Sequence, residues 1–375
     1  MSFTIKNHAG QLRPLPAYAG AVVGLAVFAA IFLVDPTSAR RPHVINFRAH
    51  NLYPESFVWD PKDQHFIVGS LRHPSLQSVS DAGVSETLIS DPSLPPNTSF
   101  LGLSIDRQRR RVLVCVHRQS SPPFNALASY EISSGKRIFL TPLVGDSESH
   151  DVANDVAVDY SGNAFVTNSG ADLIWKVNVD GEASILSKSK VFKSHPVDET
   201  AFYHKCGLNG VVYHSNGYLL VVQSNTGKLY KVDTDSGSAK TVILNKDITA
   251  ADGVAIRNDG VLVAASHSKM YFLKSQDGWS EGVVFDETAL EVEKQTSAVA
   301  VGEQNRVYAL YGYVYEGMMG NSKRDEFGIE EIESEVENKG EKIWIYVLIG
   351  LGMTYFMIWR FQMKKLVRDM NKKKN

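Results

Sequence analysis

Four oxygen-bearing side chains, Glu55, Asn154, Asn209 and Asp252, each stand two residues before a short apolar segment. Each also stands five residues before a second recurring position, occupied by Asp60, Asp159, His214 and Arg257. Two further copies of the spacing carry Leu101 and Ser297 at the first position and Asp106 and Gly302 at the second. Two carboxylates and two carboxamides brought to one height, with no lysine or arginine in the register, repel one another unless a cation sits between them. Oxygen-only donors select a hard cation: Ca²⁺ first, with Mg²⁺ or Mn²⁺ possible. Read singly, Asn154-Asp155, Asn209-Gly210 and Asp252-Gly253 are turn dipeptides entering strands. Their shared register argues for more than turns.

The elements that must position these residues repeat. Six segments share short apolar alternation, a polar turn and a second apolar strand: Phe57 to Ser70, Leu103 to His117, Val156 to Ser169, Val211 to Ser224, Val254 to His267 and Val299 to Gly312. Asn216-Gly217 and Asp259-Gly260 are strong hairpin signals. Third strands with an aromatic follow, as in LIWKV at Leu173 to Val177 and KLYKV at Lys228 to Val232. Four short strands per repeat, with no amphipathic helix between them, predict an all-β fold, a six-bladed β-propeller over residues 45–320. The alternative fold, a pair of β-sandwiches, does not require this register. Innermost strands of a propeller run along one channel, so one register is one height on one axis.

These motifs carry a resemblance. Pro54-Glu55-Ser56-Phe57-Val58-Trp59-Asp60, Asn154-Asp155-Val156-Ala157-Val158-Asp159, Asn209-Gly210 and Asp252-Gly253 resemble the opening Glu motif, the two Asn motifs and the Asp motif of one family. It is the senescence marker protein/gluconolactonase/luciferin-regenerating family of calcium-dependent propellers. The resemblance runs from about Tyr53 to about Tyr311 and implies that Glu55, Asn154, Asn209 and Asp252 hold a catalytic metal. Ser56-Phe57 departs from the Gly-Pro common there, and hydrophobic flanks are foreign to the soluble members. A cation with open positions polarises a carbonyl or phosphoryl oxygen, and Asp252 could act as base or nucleophile toward a substrate beside it. The expected activity is metal-dependent hydrolysis of a small-molecule lactone, ester or phosphoester. His150, four residues before Asn154, is a second catalytic candidate as a proton shuttle; His195, His204 and His267 are weaker ones. Two alternatives stay open: a non-enzymatic binding propeller with structural calcium, and a condensing enzyme like strictosidine synthase, which needs no metal.

The flanks predict membrane attachment. Tyr18 to Val34 lacks charge and suits a signal anchor or a signal-peptide core, after a cytosolic segment 1–17. Ile343 to Trp359 is just long enough for a transmembrane helix, reached through an acidic linker at 321–342. The basic tail 360–375 then lies in the cytosol and the propeller in a lumen or outside. Lys372-Lys373-Lys374-Asn375 resembles a dilysine retrieval signal of the endoplasmic reticulum, and Asn97-Thr98-Ser99 is the glycosylation sequon, with Asn97 the acceptor. Cys115 and Cys206 are the only cysteines: too few for a disulfide framework, with one pairing conceivable. A net charge of −2 gives no global reason to expect a nucleic acid partner.

Overall fold

The structure, a computed structural model, describes residues 42–145, 151–193 and 195–373, without the side chains of 339–343 and 345. Tyr18 to Val34, expected as an anchor or signal core, and His150, expected as a proton shuttle, lie outside the described residues.

Six antiparallel sheets stand in sequence order around one axis. Their innermost strands are Phe57–Asp60, Ser99–Asp106, Ala153–Val158, Leu208–His214, Ala251–Ile256 and Thr296–Val301. Neighbouring innermost strands touch in a closed ring, the sixth against the first. Blade 5 carries a fifth strand, Ile243–Leu244, paired in parallel with its outer strand Glu281–Ala289. The expected six-bladed propeller is therefore present, and its extent differs from the sequence reading at the C-terminal side. Glu326–Glu331, assigned to an acidic linker, is the third strand of blade 6 and pairs with Val44–Arg48 on its outer side. Glu326–Glu331 buries Phe327, Ile329 and Glu331 and leaves Glu326, Gly328 and Glu330 on the more exposed face, the period-2 alternation of a half-buried strand. Blade 6 thus joins both ends of the propeller sequence, which removes the open edge a linear stack of blades would leave.

Apolar residues fill the wedges between blades. Phe57 and Phe66 of blade 1 pack with Tyr308 and Leu310 of blade 6; Leu113 and Cys115 of blade 2 pack with Val166 and Trp175 of blade 3. Each blade therefore buries both faces, as strand sequences with near-continuous apolar runs such as Val112–Val116 require. At the end of the wheel that carries the hairpin turns, Arg110 of blade 2 donates to both carboxylate oxygens of buried Asp60 in blade 1, at 2.7 Å each. Arg111 bonds Asp106 on its own blade and the Gly162 carbonyl of blade 3.

A short helix α1, Val314–Met318, lies on the opposite face, and helix α2, Glu335–Lys372, follows blade 6. Residues 343–359 and the basic stretch from Arg360 to Lys372 are one continuous helix, not separate segments. Trp344, Leu348, Leu351, Tyr355, Phe356 and Trp359 are all exposed on it. Among the described residues no helix is long and apolar enough to cross a membrane, so the expected span at 343–359 is not shown.

Candidate functional site: an acidic cluster inside the channel

Innermost strands bring the register positions together through a feature that sequence alternation does not reveal. In blades 2 to 6 the pairing of the innermost strand slips at the register position: between Phe100 and Leu103, Ala153 and Val156, Leu208 and Val211, Ala251 and Val254, and Thr296 and Ala298. A bulge re-aims one residue per strand out of the pleat, and here it does so at Asn154, Asn209 and Asp252 in blades 3 to 5, while Glu55 precedes a regularly paired strand. Close packing follows at the next position. A Cβ on Gly210 would overlap the Asp252 carbonyl oxygen, and one on Gly102 would overlap Asp155. These glycines are required by contact with the neighbouring strand.

Glu55, Asn154, Asn209 and Asp252 all line one cavity of about 420 Å³, the channel itself, so the four expected residues do share one space. Leu101 is buried in the apolar wedge between blades 2 and 3, and Ser297 donates its hydroxyl to the Glu55 carbonyl at 2.6 Å. Leu101 offers no side-chain donor, and Ser297 fixes the backbone that presents Glu55. Asn209 donates to the Ser224 hydroxyl at 2.9 Å, which in turn donates to the Ala251 carbonyl at 2.7 Å. That chain ties blade 4 to the strand that carries Asp252.

Asp155 is the residue the sequence reading missed. It sits in the same cavity, and its two carboxylate oxygens accept from the backbone N–H of Val156 at 2.8 Å and of Val211 at 2.9 Å. It therefore clamps blades 3 and 4 while adding a third carboxylate to the channel. Its signal was available as Asn154-Asp155, where the companion positions in blades 4 and 5 are glycine.

Electrostatics separate this cluster from an ordinary buried ion pair. Burial, then repulsion from Asp252 and Asp155, pushes the Glu55 carboxyl well above its usual range. Burial, then the Asp155 charge, raises Asp252 to about 7 against a slight lowering by its Asn209 hydrogen bond. Burial raises Asp155 to about 7 despite its two backbone donors. No lysine, arginine or histidine enters among the causes for any of the three. Two buried oxygens, Glu55 Oε2 and Asn154 Oδ1, have no hydrogen-bond partner. Buried acceptors without partners cost roughly 1–3 kcal/mol each, so their persistence calls for an explanation. A hard cation fits this donor set of carboxylate and amide oxygens.

A second acidic group, Asp60, Asp63 and His65, is the only set of three His, Cys, Asp or Glu ligands within 4.8 Å among the described residues. Arg110 already supplies its positive charge. Burial pushes the Asp60 carboxyl up, and the Arg110 hydrogen bonds, the Lys62 N–H and the charges of Arg110 and His65 together outweigh it and lower it. The histidine candidates fall elsewhere. His195 is exposed, His204 contacts the Ala201 carbonyl through Nδ1 at 2.7 Å, and His267 packs at 5.3 Å from Phe202; none lines the channel cavity. Asn97 is exposed on its loop. Cys115 and Cys206 are free thiols, the first fully buried between blades 2 and 3.

The fold and channel define a six-bladed propeller with an acidic core, and solved propellers share that architecture. The major allergen Mala s 1 of Malassezia sympodialis matches with TM-score 0.65 and 17% identity, over 78% of this chain and 96% of that one. A gluconolactonase of Xanthomonas campestris matches with TM-score 0.51 and 12% identity, over 78% and 91%. A streptogramin B lyase matches with TM-score 0.52 and 11% identity, over 78% and 98%. At these identities the likeness is one of fold: the chain is similar to gluconolactonase-like and lyase propellers. No protein-family profile matches the chain, and no curated protein matches it.

Proposed function

We propose that the protein is a divalent-cation-dependent propeller hydrolase, calcium being the favoured ion, acting on lactone, ester or phosphoester substrates. The observation that carries this is the uncompensated trio Glu55, Asp155 and Asp252, next to partnerless buried oxygens on Glu55 and Asn154. Glu55, Asn154, Asn209 and Asp252 would hold the ion, and Asp155 would hold the strands. A bound hard cation supplies Lewis acidity toward a carbonyl or phosphoryl oxygen. Asp252 would take a proton from water or hold a reacting hydroxyl. The gluconolactonase neighbour agrees with this chemistry without assigning it, since one fold hosts many activities. Chelator-stripped protein assayed on a panel of lactones, aryl esters and phosphotriesters, with and without added Ca²⁺, tests the proposal. Calcium-restored turnover supports it; none with any substrate at full calcium occupancy refutes it.

One observation favours a second reading, in which the ion is a structural plug of a binding propeller: among the described residues no histidine lines the channel. In that case calcium raises the melting temperature and no panel member turns over.

The propeller is further proposed to be tethered to a membrane, in the endoplasmic reticulum, with its blades lumenal. Exposed aromatic and aliphatic side chains from Trp344 to Trp359 and the basic stretch behind them support this. Resistance of the full chain to alkaline extraction, with a glycosidase-sensitive mass shift at Asn97, checks both parts.

A further inference from the structure

The channel cavity is lopsided. It extends from the acidic cluster to the turn side of the wheel, where Arg107, Gln108, Tyr160, Tyr213 and Asn258 line it. No described residue of the loops on the opposite, ligand-side face lines it. On that opposite face the segment 195–207 lies across blades 3 to 5. The Val197 N–H donates to the Asn225 carbonyl, Gly207 to Ser169, and Phe202 and Tyr203 pack on His267.

Between cluster and turn side, five residues of each inner strand separate Glu55 from Asp60, a depth of about 17 Å at the rise of an extended strand. The wall over that depth is apolar on every blade: Val58, Ile105, Val158, Val212, Ile256 and Val301. Tyr160 and Tyr213 stand edge to face at the mouth, their rings 5.7 Å apart, and Tyr160 is 63% exposed. Aliphatic side chains from every blade between the cluster and a tyrosine-lined mouth suit one acyl chain.

Helix α2 starts on this same side. Glu337 in its first turn is bound by Arg257, the residue that ends the inner strand of blade 5 at the turn side, at 2.7 Å. Ser334, whose hydroxyl caps the helix by accepting from the Glu337 N–H, is held by Asp286 at 2.6 Å. From Glu337 the exposed apolar stretch begins seven residues on, at Trp344, about 10 Å along a helix. Exposed Tyr160 at the mouth matches the aromatic enrichment of lipid–water interfaces.

From these observations we infer that the turn-side mouth faces the lipid surface in which α2 is embedded, and that substrate enters by that mouth. The substrate is then an amphiphile, a lactone or ester whose carbonyl leads to the acidic cluster while an unbranched apolar tail trails through the channel. This rests on the proposed cation site and on α2 as the membrane anchor, and it adds the route and the substrate class.

Two readouts independent of turnover test it on the full chain in phospholipid nanodiscs, with Cys206→Ser so that only introduced thiols react. A bimane placed by Asn258→Cys at the turn-side mouth should be quenched several-fold more by spin-labelled lipid than one placed by Met319→Cys. Met319 lies beyond α1 on the ligand-side face, beside exposed Met318 and Tyr315, so equal or reversed quenching overturns the orientation. Separately, a fluorescent medium-chain fatty acid should bind, and a bulky maleimide on Gln108→Cys, attached after folding, should weaken that binding at least 10-fold. Calcium affinity should stay unchanged by the maleimide. Fatty-acid binding that survives the plug, or is absent altogether, overturns the substrate class, whereas loss of calcium binding in the unplugged protein refutes the cation site instead.

Discussion

Asp252→Asn should stabilise the cation-free protein while abolishing its response to calcium. Asp252 ionises at about 7 in the fold against a usual 3.8, because burial and then the Asp155 charge oppose its negative form. About three pKa units at 1.36 kcal/mol each give a cost of about 4 kcal/mol for carrying that charge in the empty site at pH 8. The sign comes from proton counting. Between pH 4 and 7 the folded chain binds more protons at this carboxyl than the unfolded chain does, so stability falls as pH rises through that window. Asparagine keeps an acceptor for the Asn209 hydrogen bond and never ionises. In chelator at pH 8, urea unfolding should therefore show the variant more stable than wild type by up to about 4 kcal/mol, shrinking to about 2 kcal/mol at pH 5. With saturating Ca²⁺ the order should invert, since only the wild type gains from ligand binding. A variant equal to or weaker than wild type in chelator at pH 8 refutes the reasoning, because Asp252 would then have a counter-charge within the protein itself.

The same geometry carries other expected outcomes. Gly210→Ala places a methyl group against the Asp252 carbonyl oxygen, so the two inner strands must part; a loss of about 1–3 kcal/mol in urea unfolding is expected, with weakened calcium affinity. Arg110→Ala leaves Asp60 buried without its two guanidinium bonds, which should cost roughly 3–5 kcal/mol by the same measurement and leave calcium affinity unaltered. Truncation after Arg48, which removes Val44–Arg48, should expose the outer edge of Glu326–Glu331 and turn the propeller toward aggregation, read by light scattering, because that strand would lose its pairing partner.

Much of the wheel was legible in the sequence for a physical reason. Hairpin turns such as Asn216-Gly217 and Asp259-Gly260 fix strand ends, and the period between them fixes blade count. Closure was not legible, since Val44–Arg48 is a single strand whose partner, Glu326–Glu331, lies at the far end of the propeller sequence. The acidic character of 325–331 also hid a strand whose buried positions are only Phe327, Ile329 and the ion-paired Glu331. At the site, residue types at equal spacing located Glu55, Asn154, Asn209 and Asp252. The bulges that aim Asn154, Asn209 and Asp252 were invisible, because a bulge lies in the pairing between strands and not in either strand alone. Asp155 was passed over for the same reason: its role is set by the Val211 N–H of the next blade.

Calorimetric titration of chelator-stripped protein with Ca²⁺, for the wild type, Glu55→Gln and Asn154→Ala, tests the cation site most directly. One site per chain is expected in the wild type, and at least a 10-fold weaker or undetectable site in each variant. Binding of equal strength in all three proteins, or no binding to the wild type, would contradict it.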